Sequence, residues 1–389
     1  MKIVADANIP FIEECFSSIA DVVVVPGREI RREIMAGADV LLLRSITKVD
    51  EALLSGGSVK FVGTATIGAE HVDRQYLADA GIGFASAPGC NANSVAEYVV
   101  AALLALGKKH RFELAGKSIG IVGAGNVGSR VEAKTRALGM KPLLNDPPLA
   151  RRTGLKKYVP LNALMGCDFI TMHTPLTFEG MDKTFHLADE KFFGAMKEDA
   201  FFINTARGGV ADTTAIRNAL ASGRPAGVVL DVWENEPNID ADLILKAQLS
   251  TPHIAGYSFD GKVAGLMMIY RAVCEYFGLE VQREAGDFLP DPDVPEIKVD
   301  ERAADEQTII HDTVQQVYVI NRDDFNTREI LLVPEAERGG FFDDLRKNYP
   351  VRREFQNTAI VGLDAESPLA KKLGGIGFKV GELIVDCRL

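Results

Sequence analysis

Apolar residues near the amino terminus come in short unbroken runs: "KIVAD" (2–6), "VVVVP" (22–26), "VLLLR" (40–44), "VKFVGTAT" (59–66) and "IGFASAP" (82–88). Continuous rather than alternating apolar residues are what a parallel strand needs when both faces of its sheet are covered. Stretches such as "AEHVDRQYLADA" (69–80) lie between them with helical spacing. The pattern predicts an α/β domain. "NSVAEYVVAALLALGKKH" (93–110) predicts a long connecting helix, with Asn93 or Ser94 as cap, Glu97 completing a capping box with Ser94, and basic residues at its end. A second βα series then runs from "KSIGIVGAGNVGSRV" through "KPLLND", "FITMHTP", "AFFINTA" and "AGVVLDVW" to about residue 256, and residues 257–280 read as another apolar-faced helix. "EAGDFLPDPDVPE" (284–296), acidic and rich in proline, reads as a linker. Beyond it "EIKVD", "VQQVYVI" and "EILLVP" alternate apolar and polar residues, which predicts strands in a third, α+β segment.

Composition narrows the class. At 389 residues, 47% hydrophobic and 25% charged, the chain is globular with ample apolar surface to bury, and disordered or fibrous classes are excluded. The longest apolar run is broken by Glu97 and is too short to span a bilayer. "MKIVADANIP" lacks the features of a secretion signal, and the five cysteines, Cys15, Cys90, Cys167, Cys274 and Cys387, form no C-x-x-C pair. A cytoplasmic protein with neither a disulfide framework nor a metal site is expected. The net charge of −11 disfavours nucleic acid and anionic membrane as partners. An anionic substrate would need a local basic pocket to overcome that field.

Gly123, Gly125 and Gly128, with Asn126 and Val127 between them, form G-x-G-x-x-G directly after an apolar run and at the start of a helix-like stretch. The glycines permit a tight turn, close approach of a pyrophosphate and close helix packing, while helix-start N–H groups bind the anion. At this glycine content the spacing arises by chance about 0.3 times per chain, so context decides. The next strand ends in Asp146, near the distance expected for an acid that accepts from a ribose diol, which favours NAD over NADP. Hydride chemistry then needs an acid/base group and a grip on a carboxylate. Arg207 in "FFINTARGG", Glu236 in "LDVWENEP" and His253 in "LSTPHIAGYS" all follow strand-like runs, where open parallel sheets collect ligands. Taken singly, each is as well read as a surface arginine, a charged loop with Glu234, and a packing histidine. His173 and His186 receive no catalytic role, and Trp233 reads as packing.

In order along residues 1–280, "VGTATIGAEHVD", "NSVAEYVVAALLAL", "GKSIGIVGAGNVG", "HTPLT", "INTARGG", "GVVLDVWENEP" and "TPHIAG" resemble the NAD-dependent D-2-hydroxyacid dehydrogenase family. "LLLRSITKVD", "GYSFDGKVAGL" and "GGFFDDLRKNYPVRREF" narrow the resemblance to a branch acting on a phosphorylated sugar acid. The resemblance implies a flavodoxin-like substrate domain (1–95 and 257–280) around an inserted Rossmann domain for NAD (96–256), followed by an α+β dimerisation domain (281–389) that makes a homodimer. It implies that Arg207 holds the substrate carboxylate, that His253 takes the hydroxyl proton and that Glu236 pairs with His253. It further assigns Asp146 to the adenosine ribose, Asp231 to the nicotinamide amide, Thr174, Ala206 and Gly256 to the cofactor, and Ser45, Thr66 and Tyr257 to substrate. For the phosphate, Arg44 and basic residues of the third segment are the candidates. Two other readings stay open: a dehydrogenase of another phosphorylated hydroxyacid such as 3-phosphoglycerate, and a non-catalytic module that binds proteins in response to NAD.

Overall fold

Each of the five amino-terminal runs becomes a parallel strand: β1 (Lys2–Asp6), β2 (Asp21–Val25), β3 (Val40–Leu43), β4 (Phe61–Thr64) and β5 (Gly83–Ala85). In the computed structural model, which describes residues 1–381, they hydrogen-bond in the order β2-β1-β3-β4-β5, the flavodoxin-like sequence of strands. Successive side chains serve opposite faces. Ile3, Ala5, Val40 and Leu42 pack with Leu266, Ile269 and Tyr270 of the helix Phe259–Phe277, whereas Val4, Leu41, Leu43 and Val62 pack with Leu54 and Leu77 on the other side. This double cover is why the strands carry no polar alternation. Ser258 caps the returning helix by accepting the Gly261 N–H at 2.9 Å, and Gly278, in the left-handed region, ends it. Phe288 stacks on Phe11 with ring centroids 5.4 Å apart, so the first half of the expected linker is packed. These elements form one unit, Met1–Asn91 with Ser258–Asp291.

The second unit takes Ala92–Tyr257 and the segment that begins at Pro292. Its sheet holds β6 (Ser118–Val122), β7 (Lys141–Asn145), β8 (Phe169–Met172), β9 (Phe201–Asn204), β10 (Gly227–Leu230) and β11 (Leu249–Ser250), all parallel, in the order β11-β10-β9-β8-β6-β7. Strand order reverses at β6, the feature that opens a ligand crevice in Rossmann-type sheets. Beyond β7, Tyr158 makes a single parallel bridge to Leu144, where a third strand of a full Rossmann half would lie.

The helix Ala92–His110 starts earlier than the capping reading requires, and Ser94 and Glu97 lie inside it, fully buried. Their polar atoms serve tertiary partners instead. Ser94 Oγ donates to the Ala255 carbonyl at 2.7 Å, and Glu97 Oε1 accepts the Phe355 N–H at 2.9 Å and the Asn93 amide at 3.0 Å. Such a helix, buried on nearly every side, needs cover beyond one sheet. The carboxyl-terminal segment supplies it.

That segment, expected as a domain of its own, shares a core with the nucleotide-type sheet: Ile297, Ile310, Phe355, Leu373 and Phe378 pack in one cluster with Val100, Leu104, Ile119 and Phe169. Its parallel sheet, β12 (Glu296–Lys298), β13 (Ala359–Val361) and β14 (Lys379–Val380), is too small to carry a core alone. Two strand expectations fail here. "VQQVYVI" spans the end of the helix Glu306–Val317 and the start of the helix Ile320–Arg328, and "EILLVP" begins as a 3-10 turn, Glu329–Leu332. The physical signal was the buried spacing of Ile310 and Val314, four residues apart, behind an Asp305 cap that accepts the Thr308 N–H at 2.9 Å. Among the described residues no helix is long and apolar enough to cross a membrane.

Phe355 lies flat on Phe378 with centroids 4.7 Å apart and is fully buried. Phe355→Ala is expected to cost about 3–5 kcal/mol, read by urea denaturation, and to unfold the nucleotide sheet in the same transition. A separate early transition confined to the carboxyl-terminal segment would show that the core is not shared.

Candidate active site

After β6 the chain turns at Gly123, whose φ is +88°, and a Cβ there would lie 2.7 Å from the His173 carbonyl oxygen. Gly128 lets the helix Asn126–Ala137 press on that turn, since a Cβ would stand 2.0 Å from the Gly123 carbonyl oxygen. At Gly125, the N-cap, no neighbouring atom lies within 4 Å of where a Cβ would be. The helix start, with Asn126 and Val127 as its first residues, thus borders open space, and its N–H groups suit an anion. Asp146 ties the loop to the end of β7: Oδ2 accepts the Ala124 N–H and Oδ1 the Leu149 N–H, both at 2.9 Å. Each oxygen keeps a lone pair for a diol. Arg151 is paired with Asp182. Thr174 faces Gly123 across the reversal of strand order, and its Oγ1 is buried without a hydrogen-bond partner. A polar ligand in the turn would satisfy that orphan. Orphan hydroxyl, open helix start and glycine cradle together fit a dinucleotide.

The acid/base candidates lie on neighbouring strand ends. His253 Nδ1 meets Glu236 Oε2 at 2.7 Å, while Glu236 Oε1 accepts the Trp233 N–H at 2.8 Å. Burial works against the Glu236 charge, but the His253 charge and hydrogen bond, the Trp233 amide and the nearby Arg346 hold this carboxyl below the usual glutamate range. An ionised Glu236 fixes the ring tautomer with hydrogen on Nδ1 and leaves Nε2 to accept a proton. His253 itself has φ +58°, uncommon for a side chain of its size. Asp231 holds it there. The Asp231 carbonyl accepts the His253 N–H at 2.7 Å, Oδ1 accepts from Thr251 Oγ1 at 2.7 Å and the Ile254 N–H at 2.8 Å, and Oδ2 accepts the Ala255 N–H at 3.0 Å. Burial pushes the Asp231 carboxyl up, against the His253 charge and these donors. Gly256 and Tyr257 follow directly on this clamped loop.

Arg207 follows β9. Asn204 shapes its loop by accepting the Ala206 N–H at 3.1 Å and donating to the Arg207 carbonyl at 3.2 Å, and Arg207 Nη1 donates to the Ala206 carbonyl at 2.8 Å. Gly208 sets this loop against the one bearing Glu236, because a Cβ there would lie 1.9 Å from the Trp233 carbonyl oxygen. Ser45 and Thr66 belong to the first unit, at the ends of β3 and β4, where Thr66 Oγ1 donates to the Gly68 carbonyl at 2.8 Å. Burial pushes His173 down to about 3, and hydroxyls of Thr171 and Thr205 meet its two nitrogens, so it stays neutral. A second histidine–glutamate pair, His186 Nε2 with Glu234 Oε1 at 2.7 Å, was not foreseen. Nor were the parts played by Asn204, Thr251 and Tyr98, whose hydroxyl meets Thr251 Oγ1 at 2.7 Å. An open cavity of about 330 Å³ lined by His110, Phe112, Lys117 and Asp168 lies at the amino ends of the strands, opposite the site.

Comparison with known proteins identifies the family. A family model described as D-isomer specific 2-hydroxyacid dehydrogenase, NAD binding domain, matches residues 97–255, and one described as a domain of unknown function matches 288–377. The erythronate-4-phosphate dehydrogenase of Yersinia enterocolitica is 42% identical over 376 residues, 96% of this chain and 98% of that protein. That of Shigella flexneri is 43% identical over the same shares. Among solved structures, D-lactate dehydrogenase from Aquifex aeolicus complexed with NAD and lactic acid is 26% identical, covering 72% of this chain and 96% of its own, with a TM-score of 0.59. NAD-bound 3-phosphoglycerate dehydrogenase of Entamoeba histolytica is 24% identical, with coverage of 74% and 99% and a TM-score of 0.61; it shares the fold.

Because Glu236 is held below its ordinary value of 4.5, its contribution to stability is present above that pH and is lost as the pH falls through the lowered value. In Glu236→Gln this loss on the acid side, read by urea denaturation at falling pH, is expected to disappear. Superimposable curves would break the pair.

Proposed function

The chain belongs to the D-isomer specific 2-hydroxyacid dehydrogenase family, in the group of the erythronate-4-phosphate dehydrogenases, and we propose that it oxidises 4-phospho-D-erythronate at C2 to 2-oxo-3-hydroxy-4-phosphobutanoate with NAD. The observation that carries this reading is the Glu236–His253 pair on the same sheet edge as Arg207 and the glycine turn. NAD, when bound, takes the hydride from C2. Arg207 grips the carboxylate with its fork of N–H groups and polarises the neighbouring oxygen. Nε2 of His253 accepts the hydroxyl proton while the C2–O bond becomes a carbonyl, and Glu236 steadies the imidazolium that results. Asp146 favours a free ribose diol over a 2′-phosphate. Thr174, Ala206, Asp231 and Gly256 line the cofactor, and Ser45, Thr66 and Tyr257 contact substrate. The reaction belongs to pyridoxal 5′-phosphate biosynthesis. A reducing cytoplasm suits the free thiols Cys15, Cys167 and Cys274, while Cys387 lies outside the described residues.

The carboxyl-terminal segment pairs two copies of the chain in this reading. Phe325 and Leu332 support it, being 64% and 86% exposed on one short stretch of that segment. Phe325→Asp with Leu332→Asp is expected to halve the mass seen by light scattering, and an unchanged mass would remove these residues from the interface.

The decisive assay is NADH formation on a panel of acids. Erythronate 4-phosphate is expected to outrun 3-phosphoglycerate, and His253→Gln to slow turnover by about 10²–10⁴-fold with NADH binding retained. A preference for 3-phosphoglycerate would move the substrate assignment, and no NADH from any of the acids would leave a binding module.

A further inference from the structure

A phosphorylated hydroxyacid carries negative charge at both ends, and Arg207 accounts for one of them. In a chain of net charge −11 the other end needs a cation of its own. Arg346, on the helix Arg338–Lys347 of the carboxyl-terminal segment, is placed to be that cation. Its guanidinium carbon lies 5.8 Å from the Tyr257 ring centroid and 5.8 Å from that of Phe342, and Tyr349 meets Tyr257 edge to face at 6.0 Å. Aromatic walls of this kind hold the fork in one orientation before a ligand arrives.

Its counter-charges are incompletely matched. Tyr257 hydrogen-bonds the guanidinium, but Asp343 Oδ1 lies 3.8 Å from Nη1, too far for a hydrogen bond. Glu236 is close enough for Arg346 to favour its charge, yet both Glu236 oxygens already accept from Trp233 and His253. Nε of Arg346 is buried with no hydrogen-bond partner at all. A guanidinium fixed by aromatic rings, with an unused buried N–H, next to the tyrosine that follows the His253 loop, is a site prepared for an oxyanion. In 4-phosphoerythronate C2 and phosphorus are separated by four bonds, on the order of 5 Å, which suits a phosphate at Arg346 with C2 at His253.

We propose that Arg346 binds the substrate phosphate and sets the preference for a phosphorylated acid, so that the carboxyl-terminal segment supplies part of the site. This inference rests on the reading given under Proposed function. The test compares kcat/KM for erythronate 4-phosphate and for unphosphorylated erythronate in the native protein, Arg346→Gln and Arg346→Lys. The glutamine variant is expected to lose about 10–100-fold more on the phosphorylated acid than on the plain one, mostly in KM, and lysine to restore part of the difference. Inorganic phosphate should compete with substrate in the native protein and much less in Arg346→Gln. Equal losses on both acids, or an unchanged ratio, would overturn the proposal and leave Arg346 as a support for Tyr257 and Glu236. A native protein that does not oxidise the phosphorylated acid would instead sink the underlying reading.

Discussion

Asp231 has lost its water almost completely, and the site depends on what replaced it. Its carboxylate collects the hydroxyl of Thr251 and the amides of Ile254 and Ala255, while its carbonyl takes the amide of His253. Four bonds to one residue convert an irregular stretch after β11 into a fixed object. The left-handed backbone of His253, unfavourable by itself, is sustained by this over-determination. Only with the ring so placed can Glu236 reach Nδ1 and Trp233 Nε1 reach the Thr251 carbonyl, at 2.9 Å. Removing the clamp would cost the pair its geometry without touching a group that handles a proton.

The same loop is braced from below by the carboxyl-terminal segment. Arg352 donates to Ser94 Oγ at 2.6 Å, and Ser94 donates in turn to the Ala255 carbonyl. Arg352 also lies 4.1 Å from the Tyr318 ring centroid, so its charge is held by an aromatic face as well as by Glu97 at 3.5 Å. Buried charge is expensive unless paired. Here the pairing links three parts of the chain that are distant in sequence: the long helix, the His253 loop and the final hundred residues.

How much of this could be read beforehand depends on the range of the interaction. The strands were visible because double cover leaves a local mark, unbroken apolar runs such as 40–43, and the glycine turn because Gly123 and Gly128 have backbone requirements no other residue meets. Arg207, Glu236 and His253 stood out by residue type at strand ends and by family resemblance. Ser94 and Glu97 misled, since their spacing matches a capping box while Ala255 and Phe355, which they bond instead, lie more than 150 residues away. "VQQVYVI" misled for a related reason: over seven residues the helical and strand periods are hard to separate, and the signals that decide, Ile310 and the Asp305 cap, lie upstream of it. The His186–Glu234 pair left no signal, because nothing local distinguishes Glu234 from Glu236.

The helix Ala92–His110 carries one more implication. It is finished early in synthesis, yet its outer flank is closed by Ile310, Phe355 and Leu373, which are made near the end. At ~5–20 residues per second, the ninety residues from Pro292 to Gly381 take roughly 5–20 s to emerge. Throughout that interval the nascent chain holds a greasy stripe open to solvent, so its safe arrival at the folded state is a race between translation and self-association.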